Sequence, residues 1–159
     1  MTMFTTNGCK LLIGQALNGY SDFEPDNDVY NAQTWQLIEN VISLGHIDEE
    51  VETVRSLNID PNNPDGIQRY TIDKVAITNG VMEVITALNL ANAGQLTLVR
   101  ALHELCYYPF RLVFNNASER LFIAQIIKVT EQYEEANNVA KLIVDLSIVS
   151  SITRIEATQ

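Results

Sequence analysis

Between Asp48 and Gly80 the chain runs through a long polar stretch, set into a sequence that otherwise reads as short alternating strands with close turns. A compact domain rarely carries so long a connection unless it is a binding element, a lid or a linker. Asn58, Asp60, Pro61, Asn62, Asn63, Pro64, Asp65 and Gly66 supply turns and backbone polarity. They bring hardly any apolar side chain to pin the segment to its own core. The stretch is therefore expected to be an extended loop that needs an external partner. The chain itself reads as a subunit reaching out to another subunit, not as a self-contained enzyme.

A length of 159 residues fits one domain with a useful core, residues 1–159, with 48–80 as an inter-subunit loop inside it. No apolar run approaches the ~18 residues that cross a bilayer, so no membrane association is expected. The start, Met1 to Lys10, lacks the basic and then apolar order of a secretory signal. Cys9 and Cys106 are too few for a disulfide framework and read as free thiols in a reducing compartment. Twenty acidic residues stand against 10 basic ones, a net charge of -10. Grip on a phosphate backbone needs clustered Lys and Arg, so specific nucleic-acid binding is disfavoured. A surface that stays near DNA without adhering would be served by this balance, and plain solubility is the other reading of it.

Along the chain, Lys10 to Leu17 reads as a first strand, followed by a polar segment with acids at Asp22, Glu24, Asp26 and Asp28. Thr34 to Ile42 is strand-like with imperfect alternation and stops at Gly45. Glu49, Glu50 and Glu52, interleaved with Val51 and Val54, begin the long loop as a strand extension. At Val81 strict alternation returns, Met82, Val84, Thr86 and Leu88 against Glu83, Ile85, Ala87 and Asn89, the pattern of a half-buried strand. Asn92 is placed to cap a helix whose Leu98, Ala101, Leu102 and Leu105 share one face, with Pro109 as its end. Strands over Phe110–Phe114, Arg120–Thr130 and Val139–Val149 complete the chain. The expected fold is mainly β: two packed β-sheets, sandwich or barrel-like, with one flanking α-helix and a long extended loop.

Chemistry is sparse. The sequence holds no Gly-rich phosphate loop, nucleophile elbow, paired metal-binding histidines or Cys-x-x-Cys. His46 and His103 are solitary and read as surface or packing residues. The acids from Asp22 to Asp28 are superficially like a calcium loop, but Asn27 stands where the loop glycine belongs and Gln33 where its closing Glu belongs. Asn116-Ala117-Ser118 matches a glycosylation acceptor, and Ser147, Ser150 and Ser151 lack a base at defined spacing. Tyr107-Tyr108 reads as an aromatic anchor between helix and sheet. No catalytic residue, cofactor or metal ligand is assigned.

Several strings, taken in order, resemble the major tail tube proteins of long-tailed bacteriophages. They are Thr5 to Gly14, Thr34 to Gly45 with the acidic run after it, the long loop, the Gly94-Gln95 helix start, Phe110 to Phe114, and the Asn137-Asn138 turn into the last strand. The resemblance covers most of the chain and implies two packed sheets flanked by a helix. It also implies six copies per ring, one sheet of each joining a barrel around a lumen, and rings stacked into the conduit for DNA delivery. By that resemblance the loop reaches the neighbouring ring through Asn58, Asp60, Asn62, Asn63, Asp65 and Arg69. Partners would be copies of the chain, with tail terminator, baseplate or tape measure proteins, in a virion tail assembled in the host cytoplasm. DNA would pass without specific binding, and Glu83, Glu131 and Asp145 are candidate lumen residues because an inward surface should be acidic or neutral. No long C-terminal extension is expected after Gln159. A tail terminator or other ring-forming connector is the alternative, and a β-sandwich ligand-binding module is the alternative from another class.

Overall fold

The period-two patterning of the later strands sets the core. In the computed structural model, which describes residues 5–20 and 24–157, Met82, Val84 and Thr86 turn inward while Glu83 turns out. Leu142, Val144, Leu146 and Ile148 turn inward in the same way from the adjacent strand. The elements are β1 (Lys10–Ile13), α1 (Asn27–Asn31), β2 (Gln36–Ile38), β3 (Val41–Ser43), β4 (Glu49–Asn58), β5 (Arg69–Asn79) and β6 (Val81–Ala87). After them come α2 (Ala93–Ala101), β7 (Tyr108–Val113), β8 (Glu119–Gln132), β9 (Lys141–Ile148) and β10 (Thr153–Ile155). The fold is mainly β, with two sheets and a helix packed against the larger one, as expected from the sequence.

The larger sheet is antiparallel in the order β2-β1-β7-β8-β9-β6-β3, and β10 pairs with β8. Its two edge strands, β2 and β3, are consecutive in the chain and separated only by Glu39 and Asn40. A sheet whose opposite edges are joined by two residues must curl round until those edges meet. It does so without closing into a hydrogen-bonded barrel. Asn40 makes the step with a positive φ of 62, a conformation Asn tolerates better than most residues. One strand over Thr34–Ile42 is therefore two, and its imperfect alternation marks the break.

Inside the curl lie Leu11, Ile13, Phe110, Phe122, Val84, Val144 and Leu146, with Phe110 and Phe122 stacked at 5.6 Å. Helix α2 lies over the meeting edges. Asn92 caps it, accepting from the Gln95 amide at 3.0 Å. The Gln95 side chain, fully buried, donates to the carbonyls of Glu39 and Ala87, each at 2.9 Å, and accepts from the Asn89 amide at 2.9 Å. One side chain thus ties the linker between the sheet edges to the end of β6. Gly94 lets the helix approach, because a Cβ there would lie 2.4 Å from the Leu37 carbonyl oxygen.

Three further sequence expectations change. The helix ends at Ala101, and Leu105 is 94% exposed. Pro109 is buried inside β7, so the chain leaves the helix early enough to start the strand at Tyr108. The acidic segment contains a short helix, α1, capped by Asp26, which places Tyr30 over Leu121 and Ile123 on the outer face of β8. Asp22 lies outside the described residues.

Candidate functional site

The stretch from Asp48 to Gly80 is not an unstructured loop but the second sheet, a hairpin of β4 and β5 paired from Glu49↔Asn79 to Asn58↔Arg69. The β-branched and aromatic residues of Tyr70–Thr78 carry it, with Pro61, Pro64 and Gly66 in the turn. The tip is ordered by Gln68, which accepts from the Asp60 amide at 3.1 Å and donates to the Pro64 and Gly66 carbonyls at 3.3 and 3.0 Å. Asp60, Asn62, Asn63 and Asp65 stand exposed in this tip, while Asn58 and Arg69 form the last ladder pair. All six residues singled out for inter-subunit contact are thus brought together at one end of the arm.

The hairpin is also more apolar than its sequence suggested. Cross-strand partners in an antiparallel ladder share a face. The pairs Val51/Ile77, Arg55/Ile72 and Leu57/Tyr70 therefore lie on one side, with the Arg55 guanidinium 3.7 Å from the Tyr70 ring centroid. Glu50/Thr78, Val54/Asp73, Ser56/Thr71 and Asn58/Arg69 lie mainly on the other. The apolar side is uncovered: Leu57 is 47% exposed, Ile72 70% and Ile77 62%. An isolated two-stranded hairpin is marginal in water, so such a face is expected to be covered in use.

Among the described residues, the arm is fastened to the body near its root. Glu49 pairs with Arg154 of β10 at 2.7 Å, and the Asn79 side-chain amide donates to the Ser150 carbonyl at 2.6 Å. His46 pairs with Asp48 at 3.1 Å. Beside this root the curled sheet opens in a cleft of about 250 Å³. Ile47, Leu112, Phe114 and Ile152 line it, together with His46, Arg120 and Arg154. Arg120 and Arg154 are direct cross-strand partners, a like-charge pairing relieved by Glu156 on Arg120 at 2.9 Å and Glu49 on Arg154.

Of the candidate lumen residues, Glu83 and Asp145 are brought side by side, direct partners on the outer face of β6 and β9, with Lys128 opposite Asp145 on β8. Glu131 does not join them. A bulge between Ile126 and Lys128 inserts one residue, and every side chain beyond it changes face. Glu131 accordingly pairs with buried Leu142 and shares that face of the sheet, where it is itself exposed.

The other candidates have structural roles. Ser150 is buried, its hydroxyl accepting from the Ile123 amide at 2.8 Å and donating to the Ser151 carbonyl at 2.9 Å. Tyr108 is buried and bonded to Glu104, and burial pushes its phenol up. Among the described residues no three His, Cys, Asp or Glu side chains gather in a metal-binding cluster, and no helix is long and apolar enough to cross a membrane.

No family model and no curated protein matches the sequence. Solved structures do match the fold. The anti-feeding prophage baseplate, in a six-fold symmetrised cryo-EM structure, aligns over 100% of both chains at 10% identity with a TM-score of 0.64. The SPP1 tail tube aligns over 99% of this chain and 81% of its own at 12% identity, TM-score 0.61. The sheath/tube terminator of an extracellular contractile injection system, PVC, aligns over 97% of both at 8% identity, TM-score 0.65. The chain therefore has the fold shared by phage tail tube proteins and by tube, terminator and baseplate components of related injection systems.

Proposed function

We propose that this chain is a structural subunit of a phage-type tail tube, polymerising as stacked hexameric rings that form the conduit for DNA delivery. The observation that carries this is the hairpin arm, a ten-residue strand paired with an eleven-residue one, whose apolar face is left exposed by the other described residues. A neighbouring copy supplies that cover, and head-to-tail stacking is a heterologous contact that does not terminate itself. The six-fold symmetrised baseplate neighbour supports a six-membered ring, and the SPP1 tail tube neighbour supports a tube. On this reading the protein resides in the virion tail, is assembled in the host cytoplasm, and meets terminator, baseplate or tape measure proteins at the tube ends. DNA passes a wall that includes Glu83 and Asp145 and is not gripped by it.

A second reading, a tail terminator, is favoured by the PVC terminator neighbour. Electron microscopy of the purified protein separates the two: open-ended tubes support the tube subunit, single closed rings the terminator. Replacing Asn58–Thr71 with a short Gly-Ser linker tests the arm itself. The body should melt within about 2 °C of the parent, because surface changes away from the core are near neutral, while stacking is lost. Stacking that proceeds as in the parent would overturn the role given to the arm.

A further inference from the structure

Asparagine precedes glycine at Asn7-Gly8, Asn18-Gly19 and Asn79-Gly80. A glycine nitrogen has no neighbouring Cβ to shield it, so it can swing onto the side-chain carbon of the asparagine before it. The attack requires the peptide plane between the two residues to rotate, and the hydrogen bonds on that plane decide whether it can. Two of the pairs are held. The Asn79 side-chain amide donates to the Ser150 carbonyl at 2.6 Å, Asn79 closes the β4–β5 ladder opposite Glu49, and the Gly80 amide donates to the Asp48 carbonyl at 3.4 Å. Asn7 lies in an exposed turn closed by the Cys9 amide on the Thr6 carbonyl at 3.1 Å. Its own carbonyl accepts from the Asn115 side chain at 3.0 Å, which pins the plane that would have to turn.

The third pair is free to move where the other two are not. Asn18 and Gly19 form an exposed turn just beyond the bridge between Leu17 and Tyr107. Gly19 holds a φ of 67, and a Cβ there would meet no atom within 4 Å, so the space around the turn is open. Among the described residues no backbone hydrogen bond engages the Asn18 carbonyl or the Gly19 amide. The Asn18 side chain, by contrast, is placed: its Oδ1 accepts from the Cys106 thiol at 2.7 Å. A donor on that oxygen draws electrons from Cγ and steadies the negative charge that gathers on the oxygen when a nucleophile adds.

We propose that Asn18-Gly19 is a site of self-modification by deamidation, with the Cys106 thiol as the group that positions and polarises the amide. The Gly19 backbone nitrogen gives its proton to solvent base and bonds to Cγ of Asn18. The bond from Cγ to Nδ2 breaks, and the nitrogen takes up a solvent proton and leaves as ammonia. One water then opens the five-membered imide at either carbonyl, which leaves an aspartyl or an isoaspartyl residue at position 18; nothing is oxidised or reduced. Either product adds a negative charge, and the isoaspartyl form also lengthens the backbone by one methylene between the Leu17 bridge and α1. This goes beyond the tube reading and does not depend on it.

The test ages the full-length protein at mildly alkaline pH with a reductant, then digests it with trypsin. The Lys and Arg positions put the three pairs on separate peptides, residues 1–10, 11–55 and 75–100, whose conversion is followed by mass spectrometry. Position 18 is expected to convert roughly fivefold or more faster than positions 7 and 79, the effect of one retained hydrogen bond at each of those. In urea the three rates should converge. A thiol is a weak donor, so Cys106→Ala is expected to slow position 18 about threefold, while Cys106→Ser, which keeps a donor, restores the rate. Positions 7 and 79 in the same digests report whether each variant remains folded, since unfolding would speed both. Position 18 converting no faster than the other two in the folded parent overturns the site. A rate at position 18 that is the same in folded Cys106→Ala as in the parent overturns the part given to the thiol.

Discussion

Replacing Gln95 with Met keeps roughly the side-chain length and removes the amide. Three bonds disappear together: the donations to Glu39 and Ala87 and the acceptance from Asn89. Each ordinary hydrogen bond contributes about 1 kcal/mol net, and a buried group left without a partner costs about 1–3 kcal/mol. Glu39 is exposed, so water can replace one partner, whereas Ala87 is half-buried. The expected loss is about 3 kcal/mol. A domain of this size shifts its melting temperature by about 2–4 °C per kcal/mol, so a thermal melt should fall by about 6–12 °C. Hydrogen exchange should localise the damage: the Asn89 amide, bonded to the Gln95 side chain, loses protection far more than amides of β8. The helix cap should survive, because Asn92 still accepts from the residue 95 amide. A melt within about 2 °C of the parent, with Asn89 still protected, would refute the view that Gln95 holds the sheet edges together.

Changing Glu83 and Asp145 together to Lys on the shared outer face should leave tubes intact but slow DNA delivery in a salt-dependent manner; unchanged ejection kinetics with intact tubes would remove these residues from the lumen. Tyr30, 2% exposed, has its phenol pushed up by burial to about 12. The folded state therefore holds its proton after the unfolded chain has begun to release it near pH 10. The resulting stability is fully present below pH 10, declines as pH rises toward 12, and should be detectably less pH-dependent in Tyr30→Phe when denaturant melts are compared across that range.

Where one local pattern decided a strand, the sequence sufficed. The alternation of Val81–Ala87 and Lys141–Ile148 and the cap at Asn92 were readable because period-two burial and capping are local effects. The hairpin was misread because its polar turn, Ile59 to Gln68, is longer than common hairpin turns, and because Val51, Leu57, Tyr70, Ile72 and Ile77 form an apolar face only once β4 and β5 are in register. The six expected contact residues all lie at the arm's end, since Asn, Asp and Pro mark turns wherever they cluster. Glu131 was grouped with Glu83 and Asp145 because a bulge leaves no mark in the residue types around Ile126–Lys128. The cleft at the arm's root was illegible for a plainer reason: His46, Arg120 and Arg154 are far apart in the chain, and only the β8–β10 pairing and the curl of the sheet bring them to one place.

The two-residue step from β2 to β3 also dictates an order of events during synthesis. Strand β3 can pair with β6 soon after residue 87 is made, and the arm between them closes on itself. Strand β2 can pair with β1 as soon as it is made, but the other edge of β1 has its partner in β7, which ends at Val113. The β1–β2 pair must therefore wait, unpaired on the other edge of β1, while the opposite flank of the same sheet is already forming. Non-local pairing of this kind is slow. Bringing the two flanks together at Glu39 and Asn40 is a late event, so a chain stopped short of β7 would expose strand edges to its neighbours before it had a finished surface to offer them.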